Sequence, residues 1–292
     1  MISVVTGATG FIGQHLARAL VAAGDDVHAL LAEDPEPQLH KLPNGVTGHY
    51  ADLRQAGQVK RTVKALQPDR VFHLAAVGVS DPFMAVRPAL RVNLDGTLHL
   101  LQAVEGRAPV VIARTPGERE AANVYAASKA AGWLFGAMYA RTHGWPVFGA
   151  MIFSAYGVGQ NPRNVLPQAL AAARAGRDFP MSPGGQVRDW IDVRDVVTGL
   201  IAVSRLGEAQ RGVTVELGTG VGTALVDVVI ALYRLVGRGG QVLAGRLPYR
   251  PGEVMHMVAE AEQTASLTGW RAQIDLMAGL ADLVRASETQ LA

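Results

Sequence analysis

Apolar and polar positions along this chain switch repeatedly between a strand-like and a helix-like period, and the switches lay out its elements. Ile2 to Val5 is an apolar run, broken only by Ser3, the mark of a short buried strand. Phe11, Ile12, Leu16, Ala19, Leu20 and Ala23 then share one side of a helix, with Gly24 as its stop. A second apolar run covers Val27–Leu31, Pro35, Pro37 and Pro43 mark a loop, and Val46–His49 reads as a third strand. Gln55–Leu66 predicts a helix ended by Pro68, and Arg70–Ala75 predicts a fourth strand. Asp81–Val104 reads as largely helical after Pro88, and Pro109–Ala113 as a fifth strand. A long helix runs from Asn123 to His143, followed by a strand at Val147–Phe153. Beyond it lie a helix at Val165–Ala175, a strand at Val213–Leu217, a helix at Ala224–Val236 and an amphipathic last helix at Met277–Arg285. Such alternation means βαβ units and a parallel sheet, an α/β fold. Right-handed crossovers then put the ligand crevice at the carboxyl ends of the strands.

The turn between the first strand and the first helix is Thr6-Gly7-Ala8-Thr9-Gly10-Phe11-Ile12-Gly13. In that context each glycine serves a physical purpose. Gly7 permits the tight turn, Gly10 lets a pyrophosphate approach the backbone, and Gly13 lets the helix pack closely on the sheet. The helix N-terminus offers N–H groups and a partial positive charge to the phosphates. The competing reading is a βα turn that is merely glycine-rich. The end of the second strand, where such folds meet the adenosine ribose, reads Leu31-Ala32-Glu33-Asp34. Neither an acidic residue nor an arginine stands squarely there, so NAD and NADP both remain open.

Asn123-Val124-Tyr125-Ala126-Ala127-Ser128-Lys129 opens the long helix and puts Tyr125 and Lys129 one turn apart on one face. An ordinary phenol is a poor acid–base group at neutral pH, and a nearby ammonium stabilises its anion. Lowering its pKa by about three units takes roughly 4 kcal/mol. One charge at ~4 Å with an effective dielectric of ~20 supplies about that much. The lysine can also hydrogen-bond a nicotinamide ribose. A chance spacing with a solvated lysine is the alternative. What counts against it is the order: glycine turn, five alternating strands, then Tyr125 and Lys129 directly after the fifth.

Composition narrows the field. The chain has 292 residues, room for one α/β domain or a domain with a small lobe. With 49% hydrophobic and 18% charged residues it reads as globular and not disordered. A net charge of +2 without a basic block argues against nucleic acid as a partner. The absence of cysteine excludes disulfides and thiol chemistry, and no HExxH-type spacing suggests a catalytic metal. The first strand begins at once, leaving no room for a signal peptide, and no apolar run approaches the ~20 residues of a membrane span. A soluble cytoplasmic protein without a membrane partner is expected.

Together these pieces resemble an extended short-chain dehydrogenase/reductase of the NAD-dependent epimerase/dehydratase family, which modifies nucleotide sugars. The resemblance runs from Ile2 to about Val284. It is carried by the glycine turn, Asp52-Leu53, His73-Leu74-Ala75-Ala76, Asn93 with Gly96-Thr97, and Tyr125-Ala126-Ala127-Ser128-Lys129. It implies a Rossmann-type doubly wound parallel sheet over residues 1–160, completed by segments near 185–220. A smaller C-terminal α/β substrate lobe would occupy 161–292. It implies NAD or NADP held by Gly7, Gly10, Phe11, Ile12 and Gly13, by Asp52 and Leu53 at the adenine, by Ala75 and Ala76 at the nicotinamide, and by Asn93, Tyr125 and Lys129. Tyr125 would be the acid–base group and Lys129 its partner, with His73 and Ser128 structural. The family's Ser or Thr at the end of the fifth strand falls on Thr115, within Ala113-Arg114-Thr115-Pro116, whose hydroxyl donates to a developing alkoxide. Capping a turn is the other role open to Thr115. Ser154 stands where relatives usually carry Asn against the sugar nucleotide. Arg188 and Arg250 match the arginines that grip the substrate's pyrophosphate. For Arg188 the competing reading is an ion pair with Asp189 or Asp192. Relatives pair the helices carrying Tyr125 and Asn93 across a dimer face, which implies a homodimer, and Met138 fits that contact.

The resemblance also bears on the reaction. Dehydratases of the family follow the Thr with an acid pair, and here Pro116 and Gly117 stand at those places with Glu118 displaced. Two enzyme readings remain: reduction of a nucleotide-linked 4-keto-6-deoxyhexose, and C4 epimerisation with a retained NAD. Arg188-Asp189-Trp190-Ile191-Asp192-Val193-Arg194-Asp195 is more similar to the reductases, and the lack of an acid at Leu31 tilts the cofactor toward NADP. A third reading, a non-catalytic NAD(P)-binding protein, is motivated by Ala113-Arg114 at the strand end.

Overall fold

The computed structural model describes residues 1–32 and 41–289, so Glu33, Asp34, Pro35 and Pro37 lie outside the described residues. The chain divides into two compact units. The larger comprises Met1–Ile152, Val197–Val215 and Ser266–Trp270, and the smaller Phe153–Val196, Glu216–Ala265 and the residues from Arg271 on.

The strands of the larger unit fall where the sequence predicts them: β1 (Ile2–Thr6), β2 (Asp26–Leu31), β3 (Val46–Tyr50), β4 (Arg70–His73), β5 (Val110–Arg114) and β6 (Val147–Ile152). After β7 (Ser154–Tyr156), β8 (Phe179–Met181) and β9 (Val187–Asp192), the chain returns as β10 (Thr214–Leu217) to one edge. The seven-stranded order is β10-β6-β5-β4-β1-β2-β3. Val4 stands opposite His28 on one side and Val71 on the other, in parallel register with both neighbours. β1 is therefore central and buried on both faces, which is why Ile2, Val4 and Val5 do not alternate with exposed polar residues and even Ser3 between them is buried. The order reverses between β1 and β4, the kind of switch point where doubly wound sheets open a crevice. Of residues 185–220, Thr214–Leu217 joins this sheet, whereas Val187–Asp192 belongs to the smaller unit's sheet.

Helices α1 (Phe11–Ala22), α2 (Ala56–Leu66), α3 (Val86–Leu90), α4 (Gly96–Val104) and α5 (Val124–His143) fall in the connections. Val59 and Val63 of α2 and Leu100, Leu101 and Val104 of α4 pack with Val4, Val71, Val110 and Ile112 of the sheet. The helix expected after Pro88 begins earlier, at Val86. Pro88 sits in its first turn, where a missing N–H removes no helical bond. The helix then widens into a π-turn at Arg91–Asp95 before α4, a local departure that periodicity does not record.

In the smaller unit β9 pairs with β11 (Gly222–Ala224), with β13 (His256–Met257) and, in parallel, with β7. The run expected as one strand over Val147–Phe153 thus ends at Ile152, and Ser154–Tyr156 enters a different sheet. β8 pairs with β12 (Val242–Ala244). Helices α6 (Val165–Arg174), α8 (Leu225–Val236) and α10 (Leu276–Thr289) bury Leu166, Leu170, Val228, Leu232 and Leu280 around Tyr156 and Trp190. Between them in sequence lie α7 (Val193–Val203) and α9 (Ala261–Thr268).

One close approach decides where α5 lies. A Cβ at Gly132 would stand 2.6 Å from the Asn93 carbonyl oxygen in the π-turn. Gly132→Ala should lower the unfolding free energy in urea by about 1–3 kcal/mol, the usual range for overpacking. At Gly57 of α2 the nearest heavy atom is the tip of Arg61, 3.8 Å away, so Gly57→Ala should raise it by about 0.4–1 kcal/mol.

Candidate active site

The glycine turn has the geometry that its sequence implies. Gly7 adopts φ +73°, and a Cβ there would stand 2.7 Å from the Ala75 nitrogen. A Cβ on Gly13 would collide with the Gly7 carbonyl oxygen. The turn is closed by the Gly10 N–H donating to Gly7 O at 3.0 Å. No side chain caps α1 and no acid occupies its first turn, so its N-terminal dipole is left for an anionic ligand, as a dinucleotide's phosphates require. Phe11 and Ile12 open that helix, and Ala75 lies against Gly7, which brings one expected cofactor contact to the loop. Ala76 follows it at the end of β4.

Asp52 and Leu53 are buried just beyond β3. Arg54 donates to both Asp52 oxygens, at 2.6 Å from Nη2 and 2.9–3.0 Å from Nε, and holds the carboxyl below its usual range. Leu53 is braced by His99 Nδ1 at its carbonyl, 2.7 Å away, and by Gly96.

Behind Ala75 runs a buried hydrogen-bond chain. The Ala75 N–H donates to Thr6 Oγ1 at 3.1 Å, and Thr6 Oγ1 meets His73 Nδ1 at 2.8 Å. His73 Nε2 meets Thr97 Oγ1 at 2.9 Å, and the Thr97 hydroxyl donates to Asn93 O at 2.7 Å. That last bond uses the Thr97 proton, so His73 must carry its own proton on Nε2 and accept from Thr6 on Nδ1. Burial first, and then the Lys129 charge, push the His73 imidazole down to about 3. The Asn93 amide donates to Val77 O and Ser128 Oγ, while its oxygen accepts the Val77 N–H. The Ser128 hydroxyl passes on to Tyr125 O. Asn93, expected at the cofactor, therefore has its amide committed to the wall of the site. It joins the loop after β4 to the helix that carries Tyr125.

Tyr125 and Lys129 lie on the first two turns of α5, which Asn123 caps by accepting the Ala126 N–H at 2.9 Å. Gly78 packs on the tyrosine ring, and Lys129 is buried. The spacing suggests that the lysine lowers the phenol, whereas the burial and the charge around it act in the other direction. Burial, and secondarily the negative charge of Glu118, raise the Tyr125 phenol well above its usual value. Burial also pulls the Lys129 ammonium down to about 8, with Glu118 opposing that shift and Arg114 adding to it. The phenol thus senses a carboxylate that the Tyr-x-x-x-Lys spacing does not reveal.

That carboxylate belongs to a short 3-10 turn, Pro116–Glu118, which β5 enters. Thr115 does cap it: its side chain accepts the Glu118 N–H, and Glu118 Oε1 accepts the Thr115 N–H at 2.9 Å. Accepting that bond leaves the hydroxyl proton of Thr115 to give to another oxygen, so the capping role and the donor role coexist. Glu118 Oε2 is 2.8 Å from Arg114 Nε, and its side chain is 0% exposed. Glu118 stands out in the sequence as the displaced acid after Thr115, and the Thr-x-x-Glu capping box is the signal for where its side chain goes.

In the smaller unit Ser154 opens β7, half-buried, opposite Trp190. Arg188 of β9 pairs neither with Asp189 nor with Asp192 but with Glu253. Asp189 instead accepts from the backbone N–H groups of Thr219, Gly220 and Ala259, and Asp192 pairs with Arg194. Arg250 is exposed, and its carbonyl accepts the Glu253 N–H, so the Arg250–Glu253 turn sets the carboxylate on Arg188. Among the described residues no group of three or more His, Asp or Glu could hold a metal, and no helix is long and apolar enough to cross a membrane.

Comparison with known proteins follows the same lines. The model of the NAD dependent epimerase/dehydratase family matches residues 3–218. UDP-glucose 4-epimerase of Mycolicibacterium smegmatis is 28% identical, over 97% of this chain and 97% of its own. GDP-6-deoxy-D-mannose reductase of Pseudomonas aeruginosa is 26% identical, over 98% and 97%. Among solved structures, UDP-glucose 4-epimerase of Thermus thermophilus in complex with NAD superposes with a TM-score of 0.83 at 28% identity, covering 98% of each chain.

The buried imidazole carries a measurable consequence. In the unfolded chain a histidine titrates near 6.5, whereas folded His73 does so at about 3, so the unfolded state binds the extra proton between those values. Folding stability should therefore fall as the pH drops from about 6.5 toward 3. Urea midpoints taken across that window should slope downward in the wild type and more gently in His73→Gln.

Proposed function

We propose that this chain, which belongs to the NAD dependent epimerase/dehydratase family, is an NAD(P)-dependent nucleotide-sugar oxidoreductase that reduces a nucleotide-linked 4-keto-6-deoxyhexose. The observation that carries this reading is the placement of Tyr125 and the buried Lys129 one turn apart at the start of α5, directly after the strand that runs into Thr115. Dehydration is disfavoured by Pro116 and Gly117 in place of an acid pair. Glu118, next along, has its oxygens committed to Arg114 and Thr115.

The residues fit a dinucleotide, because the cradle at Gly7 and Gly13 is one that a Cβ would fill. Gly7, Gly10, Phe11, Ile12 and Gly13 would hold its phosphates, Asp52 and Leu53 its adenine, and Ala75, Ala76 and Lys129 its nicotinamide end. The nicotinamide supplies the hydride when bound. Thr115 donates its hydroxyl proton to the substrate carbonyl, and Tyr125 transfers its own to the same oxygen as negative charge develops there. Lys129 steadies the resulting phenolate and, with its pKa near 8, returns a proton to it. In the smaller unit Arg188 and Arg250 would bind the diphosphate, and Ser154 the sugar, with remote binding energy orienting the carbonyl. Leu31 and Ala32 offer no acid to a ribose 2′-hydroxyl, which supports NADP, while the Thermus relative's NAD supports the alternative.

A C4 epimerase with retained NAD is the second reading, favoured by the Mycolicibacterium and Thermus relatives. The protein is assayed with a panel of nucleotide 4-keto-6-deoxysugars, and its bound cofactor is identified by mass after denaturation. Consumption of external NAD(P)H with a keto sugar alone supports the reductase, and Tyr125→Phe should then lower kcat by about 10²–10⁴ with cofactor binding retained. Retained NAD, no net consumption and an isomerised sugar would establish the epimerase instead. Cofactor binding with silence on every sugar would move the protein to the non-catalytic class.

We also read the protein as a homodimer, because α5 leaves Leu134 and Phe135 exposed on the helix that carries Tyr125. Sedimentation at micromolar concentration should give twice the 30.8 kDa chain mass, and a monomer would refute this.

A further inference from the structure

Arg188 of the smaller unit is an arginine with donors to spare. Its side chain is 12% exposed and that of its partner Glu253 19%. Arg188 Nη1 donates to Val187 O at 2.9 Å, and Nη2 to Glu253 Oε1. Two bonds do not use up a guanidinium's fork, and its other N–H groups have no partner among the described residues. Glu253 engages through one oxygen only. Elsewhere in the same unit Arg194 takes both oxygens of Asp192, the fork-on-fork form that a full carboxylate partner gives.

Glu253 belongs to a strap that runs beside residues 185–188. The Gly185 N–H donates to the Tyr249 hydroxyl at 3.1 Å, and the Val187 N–H to Met255 O at 2.8 Å. Pro251 and Gly252, the latter at φ +69°, suit the centre of a tight turn, and Arg250 to Gly252 are exposed. Between the strap's contacts lies Gln186. It is buried, and its Oε1 has no hydrogen-bond partner among the described residues. The Leu225 N–H at the start of α8 donates to the Gln186 carbonyl at 3.1 Å, which pins its backbone. Strand alternation turns Gln186 to the side of Arg188, two residues on. An orphaned buried acceptor is costly to fold around, and a bound molecule that places a donor there recovers that cost.

We propose that the Tyr249–Glu253 strap is a latch on the nucleotide site: Glu253 holds Arg188 in the unliganded protein, a nucleoside diphosphate takes its place on the guanidinium by exchange, and Gln186 then gains its partner from the bound nucleotide. This rests on the reading of Arg188 as an arginine that binds the substrate's diphosphate. The exchange replaces one anion by another on a largely buried cation, so the charge of Arg188 is not left unpaired. A diphosphate brings more charge and more oxygens to the fork than one carboxylate oxygen does. The latch also sets affinity. The nucleotide binds only molecules whose latch is open, and its apparent affinity falls in proportion to that fraction.

The test is titration calorimetry of the full-length protein with dTDP, UDP and GDP. Arg188→Met should weaken the best-bound nucleotide about tenfold or more. Glu253→Gln should tighten it by about two- to tenfold, while lowering the urea midpoint because the unliganded protein loses its ion pair. Gln186→Leu should do the reverse. It should weaken the nucleotide by about three- to tenfold and leave the urea midpoint unchanged or raised, because an unpaired buried acceptor is removed. A merely structural residue moves affinity and stability down together, so the opposite signs are the signature. If Glu253→Gln fails to fold, Tyr249→Phe releases the other end of the strap and should tighten the nucleotide by a smaller factor. A nucleotide bound no tighter by the folded variant, with Arg188→Met weakened, overturns the latch and leaves the reading of Arg188 standing. Binding that Arg188→Met leaves unchanged, or none of the three nucleotides bound by any variant, overturns that reading and the latch with it.

Discussion

The wall behind the candidate site depends on an imidazole that must remain uncharged. His73 links β1 to α4 through one acceptor and one donor nitrogen, and only the neutral ring with its proton on Nε2 satisfies both Thr6 and Thr97. From Thr97 the chain of bonds runs through Asn93 and Ser128 to the backbone of Tyr125. Every polar group in it is buried, so each member is costly to leave unpaired. The loop after β4 that lies against the glycine turn and the tyrosine helix are thereby fixed to one another by a network with a single consistent assignment of protons.

That network explains the division of labour in the larger unit. The glycine turn needs close backbone approach and supplies it through Gly7 and Gly13. The tyrosine helix needs a fixed azimuth, which the Asn123 cap and the contact of Gly132 with the π-turn provide. Electrostatic bias enters separately, from the short turn after β5. Burial alone raises a phenol and lowers an ammonium, which would leave both groups neutral. Glu118 adds to the first shift and opposes the second.

Much of this was legible in the chain because it is local. The strand–turn–helix around Gly7, Gly10 and Gly13 spans a few residues, and Tyr125 and Lys129 need only a helix between them. The parallel sheet follows from the alternation of strands and helices. What escaped reading depends on partners far apart in sequence. Arg188 finds Glu253, 65 residues on, and not the aspartates beside it. Asn93 matches a cofactor motif, yet its amide is claimed by Val77 and Ser128. The expected lowering of Tyr125 by Lys129 treated the pair as isolated, and Glu118 lies outside that spacing. The π-turn leaves the apolar pattern intact and changes only the hydrogen-bond ladder, which composition does not encode.

Gly149 has a consequence for how this site can be altered. A glycine inside a buried strand weakens that strand, and here the space it vacates is filled by the Arg114 stem. The two positions are therefore ordered: the glycine must be in place before the arginine fits, and the arginine must leave before a side chain can return. A library that randomises Arg114 alone explores cavities, and one that randomises Gly149 alone explores clashes. Joint variation is what reaches a repacked strand end, so redesign of this strand end has to treat the pair as one unit.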